Sequence, residues 1–325
     1  MAWTTSRVAG PDGINFLVCT DPHAPDPISR LLADGRYPFG PHWELIRHFV
    51  PPGGRILDLG VHIGGFTLMA AAAGYEVLGV EAAPQNVALV RTALAANVFD
   101  NAQILHAAVA DAAGEVTFHP DGPFGAITPH EAPGTVRVRA ATVDELLAEA
   151  AWDRVDFVKI DVEGSEPGAV RGMAKLLARP DAPPVFFESN GYALPGFGSS
   201  PRALRALFAG HGYACHAADL PRRRLIAVGD DEPQPEPVID YLAVKPSLPT
   251  WRERLGFPRC ELGGYPLVRS TDVELLLRFH RVLADVLPGE PPAAGHLRRE
   301  LQGASPALRG DPKLAAFLAK RARAA

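Results

Sequence analysis

The stretch Leu57-Asp58-Leu59-Gly60-Val61-His62-Ile63-Gly64-Gly65 decides the fold of this 325-residue chain. An apolar strand ends at Asp58-Leu59-Gly60, and the chain then turns into a helix. Gly60 and Gly64 allow backbone angles and close approaches that other residues do not. We therefore expect a ligand to contact bare backbone at the carboxyl end of this strand.

A second acidic residue follows at a distance typical of nucleotide-like ligands. Glu81 ends the next apolar run, roughly 20 residues on, where a carboxylate can accept hydrogen bonds from both hydroxyls of a ribose. Dinucleotide sites need Gly-x-Gly-x-x-Gly, but His62 occupies the second glycine position, which disfavours NAD and FAD. S-adenosylmethionine has no phosphate, and its positive sulfonium and ammonium groups favour the carboxylate of Asp58. The residues therefore predict S-adenosylmethionine as the ligand.

Around this turn, short apolar runs alternate with helix-like segments, which predicts a mostly parallel sheet with helices on both faces. Strands are expected at Arg55 to Leu59, Glu76 to Glu81, Ala102 to Ala108, Val155 to Ile160, Val185 to Glu188 and Asp240 to Val244, with a hairpin over Tyr213 to Gly229. Helices are expected at Gly65 to Ala73, Pro84 to Asn97, Val143 to Ala150 and Glu166 to Leu177. A long loop, His119 to Gly134, is expected to be a lid or to lack order.

Three segments follow from this pattern. Residues 1–50 are predicted to form an N-terminal helical segment or lid, residues 51–245 the ligand-binding domain, and residues 246–325 a basic helical extension with a helix over Thr271 to Leu287. The extension carries 13 Lys and Arg against 8 Asp and Glu, whereas the whole chain has 32 against 37. The net negative charge argues against general nucleic-acid binding.

The amino-acid composition limits the class of protein and the location that we expect. Hydrophobic residues make up 47% and charged residues 21%, as in globular domains. No apolar run reaches the roughly 18 to 20 residues needed to cross a bilayer, so we expect no membrane contact and a cytoplasmic location. The three cysteines form no Cys-x-x-Cys pair, which disfavours a zinc site or a disulfide framework.

Acidic side chains also end the fourth and fifth predicted strands. Asp161 follows the run Val155 to Ile160 and is the first candidate for general base or substrate orienter. Glu188 ends the next strand and Asn190 follows it closely. With Asp161 they resemble a magnesium site, although we favour contacts without metal because three oxygen ligands leave a Mg²⁺ site incomplete. Glu163, two residues after Asp161, could assist that residue or cap the helix that begins near Glu166, and we favour capping slightly. Lys159, inside a buried strand, is expected to have an ion-pair partner.

Four blocks of the sequence together resemble the FkbM family of class I methyltransferases. The most specific is Asp156-Phe157-Val158-Lys159-Ile160-Asp161-Val162-Glu163-Gly164-Ser165-Glu166. The other three are Asp58 to Leu68, Val80 to Asn86 and Ala107 to Val116. The resemblance covers roughly residues 10–245 and leaves the basic extension outside.

The resemblance implies a Rossmann-like α/β fold with a seven-stranded sheet, one strand antiparallel, and O-methylation of hydroxyls on natural products or sugars in bacterial secondary metabolism. It places Asp58, Gly60 and Gly64, with His62 in the same turn, at the methionine end of the cofactor. Glu81 would bind the ribose, Asp111 would lie near the adenine, and Asp161 would lie beside the methyl donor.

Two other classes of function stay open at this point. A nucleotide-dependent oxidoreductase of the NAD type could use a similar sheet, although the glycine pattern disfavours it. A non-catalytic binding protein could retain the fold without turnover, which the intact acidic positions disfavour. The expected partner is a small molecule with a hydroxyl group, and whether the chain forms a homodimer stays open.

Overall fold

The computed structural model describes residues 3–23, 26–229, 234, 237–245, 261–262, 265–269 and 312. Its strands, numbered in chain order, are Thr4–Ala9 (β1), Asn15–Thr20 (β2), Arg55–Leu59 (β3), Glu76–Glu81 (β4), Ala102–His106 (β5), Ala108–Val109 (β6), Gly114–His119 (β7), Ala126–Thr128 (β8), Val136–Ala141 (β9), Phe157–Ile160 (β10), Val185–Asn190 (β11), Ala214–Asp219 (β12), Arg224–Ala227 (β13), Val238–Val244 (β14), Glu261–Leu262 (β15) and Tyr265–Arg269 (β16). Its α-helices are Pro27–Ala33 (α1), Gly40–Phe49 (α2), Gly65–Ala72 (α3), Pro84–Asn97 (α4), Val143–Glu149 (α5), Glu166–Gly172 (α6), Ala174–Ala178 (α7) and Pro201–Gly210 (α8).

The main sheet contains the predicted seven strands in the order β5-β4-β3-β10-β11-β14-β12. Within this set β14 runs against the other six, because it pairs antiparallel with both β11 and β12. Strands β13, β16 and β15 continue the sheet beyond β12. The prediction of a mostly parallel sheet with one reversed strand is therefore confirmed, within a sheet that is wider than expected.

Helices cover both faces of this sheet, as predicted. Successive side chains of a strand point to opposite faces, so each face has a separate core. On β3, Ile56 packs with side chains of α2, α3 and α4, whereas Leu57 packs with those of α5, α6, α7 and α8. Asp58 lies on the same face as Ile56, because the two residues are two positions apart. Its carboxylate accepts a hydrogen bond from Thr67 of α3 at 2.6 Å.

Local sequence signals fix where several helices begin and end. Thr142 and Glu145 form a reciprocal capping box at the start of α5, and the Ser200 hydroxyl accepts from a backbone amide at the start of α8. The single helix predicted from Glu166 to Leu177 is two helices, since Met173 between them has a non-helical backbone.

The N-terminal segment contains a feature that the sequence pattern did not reveal. Strands β1 and β2 form an antiparallel hairpin ahead of the predicted helical part, which contains α1 and α2. Phe16 and Val18 of β2 are buried in the same core as α2, α3 and α4. The domain limits at residues 50 and 245 stay predictions.

A second, smaller sheet lies beside the carboxyl end of β4. Its order is β6-β9-β7-β8. The predicted loop from His119 to Gly134 contains a short 3-10 turn, Gly122–Phe124, and strand β8, so part of it is ordered. Phe118 of β7 packs with Ala83, directly after β4, and Ile127 of β8 packs against the same cluster. We call the four-stranded sheet β6-β9-β7-β8 the small sheet.

The C-terminal extension is described in part. Strands β15 and β16 lie in the segment predicted as helical, whereas the helix predicted over Thr271 to Leu287 falls outside the described residues. Among the residues that the structure describes, no helix has both the length and the apolar content required to traverse a bilayer.

Candidate active site

A cavity of about 310 Å³ opens at the carboxyl ends of β3, β4, β10 and β11. This edge of a parallel sheet is the usual place for ligands in open α/β folds. Its apolar wall comes from α1, α3, the small sheet and the segment before α2, through Ile28, Phe39, Phe66, Phe118, Pro123 and Ile127. Its polar wall consists of His42, His62, Glu81, Asn86, Lys159, Asp161, Glu163, Ser165, Glu188 and Asp240.

The glycine turn after β3 forms one side of the cavity. Gly60 has φ 86° and Gly64 has φ 88°, angles that L side chains rarely adopt. A Cβ on Gly60 would lie 1.7 Å from the carbonyl oxygen of Asp161, so only glycine fits where the turns after β3 and β10 touch. His62 also has a positive φ, 54°, and its half-buried imidazole lies 3.9 Å from Asp26.

Glu81 lies at the end of β4 with its carboxylate in a cradle of donors. The backbone amide of His62 donates to one oxygen at 2.7 Å, and the backbone amide of Ala83 donates to the other at 2.8 Å. Burial raises the pKa of Glu81 to about 7, although these two amides favour the ionised form. The carboxylate also lines the cavity, where its remaining lone pairs can accept hydrogen bonds from a diol.

Lys159 forms ion pairs that link the end of β3 to the turn after β10. Its Nζ lies 3.3 Å from Oδ1 of Asp58 and 3.4 Å from Oδ2 of Asp161, and it donates to the carbonyl oxygen of Gly60 at 3.3 Å. Burial lowers the pKa of Lys159, but the two carboxylates outweigh burial and raise the pKa above its usual value. The prediction that this buried lysine has an ion-pair partner is confirmed.

Three carboxylates meet at the ends of β10 and β11. Oxygens of Asp161, Glu163 and Glu188 lie within 4.8 Å of one another. Burial, with the charge of Asp161 nearby, raises the pKa of Glu163 to about 7 and that of Glu188 to about 9. At neutral pH Glu188 is therefore largely protonated and can donate a hydrogen bond. We call these three residues the acid cluster.

The expectation that Glu163 caps the next helix is wrong. Its carboxylate accepts from the Asn190 side chain at 3.4 Å, so Asn190 supports the acid cluster through Glu163. The loop before α6 is held instead by Glu166, which accepts from the backbone amides of Val162 and Gly164 at 3.3 and 3.1 Å. Glu166 is fully buried, and its carboxylate reaches back to this loop from the first turn of α6.

The cavity brings together most, but not all, of the site residues predicted from the sequence. Its walls include Gly60, His62, Glu81, Asp161 and Glu188. The other predicted residues lie outside the lining: Asp58 is fully buried against α3, Gly64 is the residue directly before α3, and Asp111 is exposed, 3.6 Å from Arg171.

Two polar residues of the site were not predicted. His42 of α2 and Asp240 of β14 both line the cavity, and the imidazole Nε2 lies 3.3 Å from Oδ2 of Asp240. Asp240 reaches the site because β14 pairs with β11 in a register that sets Asp240 opposite Glu188. No local sequence signal marks either residue, since both are brought to the site by long-range pairing and packing.

Comparisons with known proteins add a family match. Residues 58–215 match the family model described as the methyltransferase FkbM domain. No curated protein matches the chain. Among solved structures, the chain is similar to precorrin-6y C5,15-methyltransferase from Geobacter metallireducens, with 13% identity over 63% of this chain and 86% of the other and a TM-score of 0.37. It is also similar to a 16S rRNA N2 G1207 methyltransferase from T. thermophilus, with 19% identity over 75% of this chain and 51% of the other and a TM-score of 0.40. A third similar structure is an O-methyltransferase from Bacillus cereus, with 15% identity over 63% of this chain and 80% of the other and a TM-score of 0.38.

The sheet order and the glycine turn at its carboxyl edge, together with the family match, define a class I S-adenosylmethionine-dependent methyltransferase. Within that class, residues 58–215 match the FkbM methyltransferase domain, and this match confirms the predicted resemblance. S-adenosylmethionine is accordingly the methyl donor. The residues of the site suit this cofactor, because Gly60 leaves backbone bare at the turn and Glu81 presents a carboxylate to the cavity.

Proposed function

We propose that this chain transfers the methyl group of S-adenosylmethionine to a hydroxyl group of a small molecule, a natural product or sugar of bacterial secondary metabolism. The observation that carries the proposal is that one cavity is lined by both Glu81 and the acid cluster. Glu81 ends β4 and Glu188 lies near the carboxyl end of β11, two strands that are three positions apart in the sheet, roughly 14 Å at the usual strand spacing. That span leaves room for a donor and an acceptor side by side.

The donor half of the proposal uses the turn after β3 and the end of β4. Glu81 would accept hydrogen bonds from the ribose hydroxyls, and Gly60 and His62 would contact the donor through the turn. Asp58 would act through Lys159, because its carboxylate is fully buried beside that cation. Gly64 would shape the turn. Asp111 stays the predicted contact for the adenine.

The acceptor half uses the acid cluster. S-adenosylmethionine supplies a methyl group that its positive sulfonium activates, so the main task of the protein is to align the acceptor oxygen with that carbon. Glu188, protonated at neutral pH, would donate a hydrogen bond to the acceptor. Asp161, held by Lys159, would accept one. Together they would orient the acceptor oxygen.

The same carboxylates have oxygens of the type that Mg²⁺ prefers. Lys159 already provides a cation 3.4 Å from Asp161, which offsets part of the negative charge that a metal would have to balance. We therefore propose a metal-independent transfer, for which turnover in excess EDTA equals turnover in added Mg²⁺.

Calorimetric titration with S-adenosylmethionine tests the donor half. Wild type is expected to bind, and Glu81→Ala is expected to bind at least tenfold more weakly because the ribose loses its carboxylate partner. Glu76→Ala is the matched control, because Glu76 begins the same strand and forms a surface pair with Arg55. Absence of binding heat with the wild type would refute the proposed function.

Turnover tests the acceptor half. Release of S-adenosylhomocysteine is measured against a panel of catechols, monosaccharides and aliphatic polyols. Asp161→Ala is expected to keep its affinity for S-adenosylmethionine while losing turnover at least tenfold. Full turnover in that variant would remove Asp161 from the mechanism. Transfer to amine acceptors in preference to hydroxyl acceptors would contradict O-methylation.

A further inference from the structure

The turn after β10 holds Glu163 in a backbone conformation that L side chains rarely adopt. Its φ is 51°, and the φ of Gly164 is 99°. Glu166 holds this turn from one side, because its carboxylate accepts from the backbone amides of Val162 and Gly164. On the other side, a Cβ on Gly164 would lie 2.6 Å from the ring of Phe197. Glycine at position 163 would avoid the cost of the positive φ, which indicates that the glutamate side chain has a role other than stability.

The carboxylate of Glu163 lines the cavity with one oxygen held and the other open. Oε2 accepts from the side-chain Nδ2 of Asn190 at 3.4 Å. The Oδ1 of Asn190 accepts from the backbone amides of Tyr192 and Ala193 at 3.1 and 3.2 Å, which orients Nδ2 toward Glu163. Oε1 has no hydrogen-bond partner in the part of the chain that the structure describes, and it is not buried. A hydroxyl group in the cavity can therefore donate to Oε1.

The three carboxylates of the acid cluster differ in how readily they can take a proton. Asp161 is paired with Lys159 at 3.4 Å, and the cation stabilises its ionised form. Glu188 already holds a proton at neutral pH, because burial and the charge of Asp161 raise its pKa to about 9. Burial and Asp161 raise the pKa of Glu163 only to about 7, which suits a general base. The other titratable groups of this end of the cavity and its turn are Glu166 of α6, Asp240 of β14 and His42 of α2.

The distances within the acid cluster allow one hydroxyl to contact all three carboxylates. Their oxygens lie within 4.8 Å of one another. A hydroxyl oxygen at the centre of such a triangle is about 2.8 Å from each carboxylate oxygen, within the range for a hydrogen bond. An acceptor that Asp161 and Glu188 orient is therefore also within reach of Glu163.

We propose that Glu163 is the catalytic base that removes the proton of the acceptor hydroxyl and that Asn190 is the residue that positions its carboxylate. The inference rests on the proposed function, since it assumes a hydroxyl acceptor. In the step, the acceptor oxygen forms a bond to the methyl carbon, and the carbon–sulfur bond breaks with its electron pair staying on sulfur. The hydroxyl proton moves to Oε1 of Glu163 and is later released to solvent.

Kinetics of Glu163→Gln at saturating S-adenosylmethionine provide the first test, because glutamine has the same size but cannot take the proton. With the acceptor from the panel that wild type methylates fastest, kcat is expected to fall about 100-fold, the lower end for loss of a general base, with unchanged affinity for S-adenosylmethionine. A base must be ionised to act, so the wild-type kcat should rise about tenfold per pH unit below pH 7 and level off above it. This rise should disappear in Glu163→Gln.

Asn190→Asp tests the positioning role. The aspartate keeps an oxygen for the amides of Tyr192 and Ala193 but replaces the donor to Glu163 with a second acceptor. The hydrogen bond from Asn190 lowers the pKa of Glu163, and a negative charge in its place raises it, so the midpoint of the kcat profile should move to higher pH. A lower rate with an unmoved midpoint would show that Asn190 has only a structural role.

Glu163→Gly separates the chemical role from the backbone strain. Glycine relieves the positive φ, so the melting temperature should equal or exceed that of wild type while turnover falls at least about 100-fold. Formate should restore part of the lost turnover by entering the space of the missing carboxylate. Ala151→Gly is the matched control, because Ala151 has φ 54° and lies outside the cavity lining. Its turnover should equal that of wild type with or without formate.

These measurements separate the base from the proposed function. Wild-type turnover in Glu163→Gln, or an unchanged pH profile in that variant, would overturn the role of Glu163 and leave O-methylation intact. If wild type binds S-adenosylmethionine but methylates none of the hydroxyl acceptors, the proposed function fails, and the role of Glu163 as the base fails with it.

Discussion

Affinity for S-adenosylmethionine should depend on pH through Glu81. Burial raises the pKa of this carboxyl to about 7, and the ionised form is the one that can accept hydrogen bonds from two ribose hydroxyls. With that pKa, about nine-tenths of the protein carries the ionised form at pH 8 and about one-tenth at pH 6. Apparent affinity scales with the fraction of the binding-competent form, so the dissociation constant should rise about tenfold between pH 8 and pH 6.

Calorimetry at pH 6, 7 and 8 and constant ionic strength measures this change. Glu163 and Glu166 also have pKa values raised to about 7, so the wild-type curve alone does not identify the group responsible. Glu81→Gln supplies the comparison, because glutamine has the same size and does not ionise. The variant should bind more weakly at pH 8 and lose most of the pH dependence. An equally steep curve in Glu81→Gln would refute the assignment to Glu81.

Three further predictions concern stability. Lys159→Met should lower the free energy of unfolding in urea by about 3–5 kcal/mol, because it leaves the carboxylate of Asp58 buried without its cation; an unchanged value would contradict that pairing. Gly60→Ala should lower the melting temperature more than Gly53→Ala, since both have positive φ but only Gly60 faces a backbone contact; equal losses would contradict the contact. The pKa of Glu188 rises from 4.5 in the unfolded chain to about 9 in the folded protein. Between these two pH values the folded state holds a proton that the unfolded chain releases, so the stability of wild type falls as the pH rises from 4.5 to about 9. Glu188→Gln should show a shallower fall in urea unfolding between pH 5 and pH 9, and parallel curves would contradict the shift.

Local patterns predicted the donor half of the molecule well. Strands β3 and β4 and helix α4 have the predicted bounds, because each is a short apolar or amphipathic run with a clear turn at its end. The glycine turn and Glu81 meet because consecutive parallel strands present their carboxyl ends at one edge. The orientation of Asp58 is also a local property, since its alternation with Leu57 and Leu59 sets it on the face covered by α3.

The acceptor half depends on pairing between distant segments, which no local pattern specifies. Asp240 reaches the cavity through the register of β14 against β11, and His42 reaches it through packing of α2 on the sheet. The β1–β2 hairpin was missed because β1 is largely exposed and lacks the apolar run that marked the predicted strands. The role of Glu163 was misread because a carboxylate at this position can accept hydrogen bonds either from the start of a helix or from Asn190. Only the three-dimensional structure shows that Asn190 is the donor.

The small sheet has a consequence for where new acceptors could be accommodated. It contributes Phe118 and Ile127 to the cavity, whereas Glu81, Lys159 and the acid cluster all belong to the main sheet or to the turns that follow its strands. Because Phe118 packs with Ala83, directly after β4, substitutions at Phe118 and Ile127 would reshape the wall beside Glu81, where the donor is proposed to bind. Directed evolution toward bulkier or more polar acceptors should therefore leave the small sheet unchanged and begin with Phe39 and Phe66, which line the space beside Asp161 and Glu188.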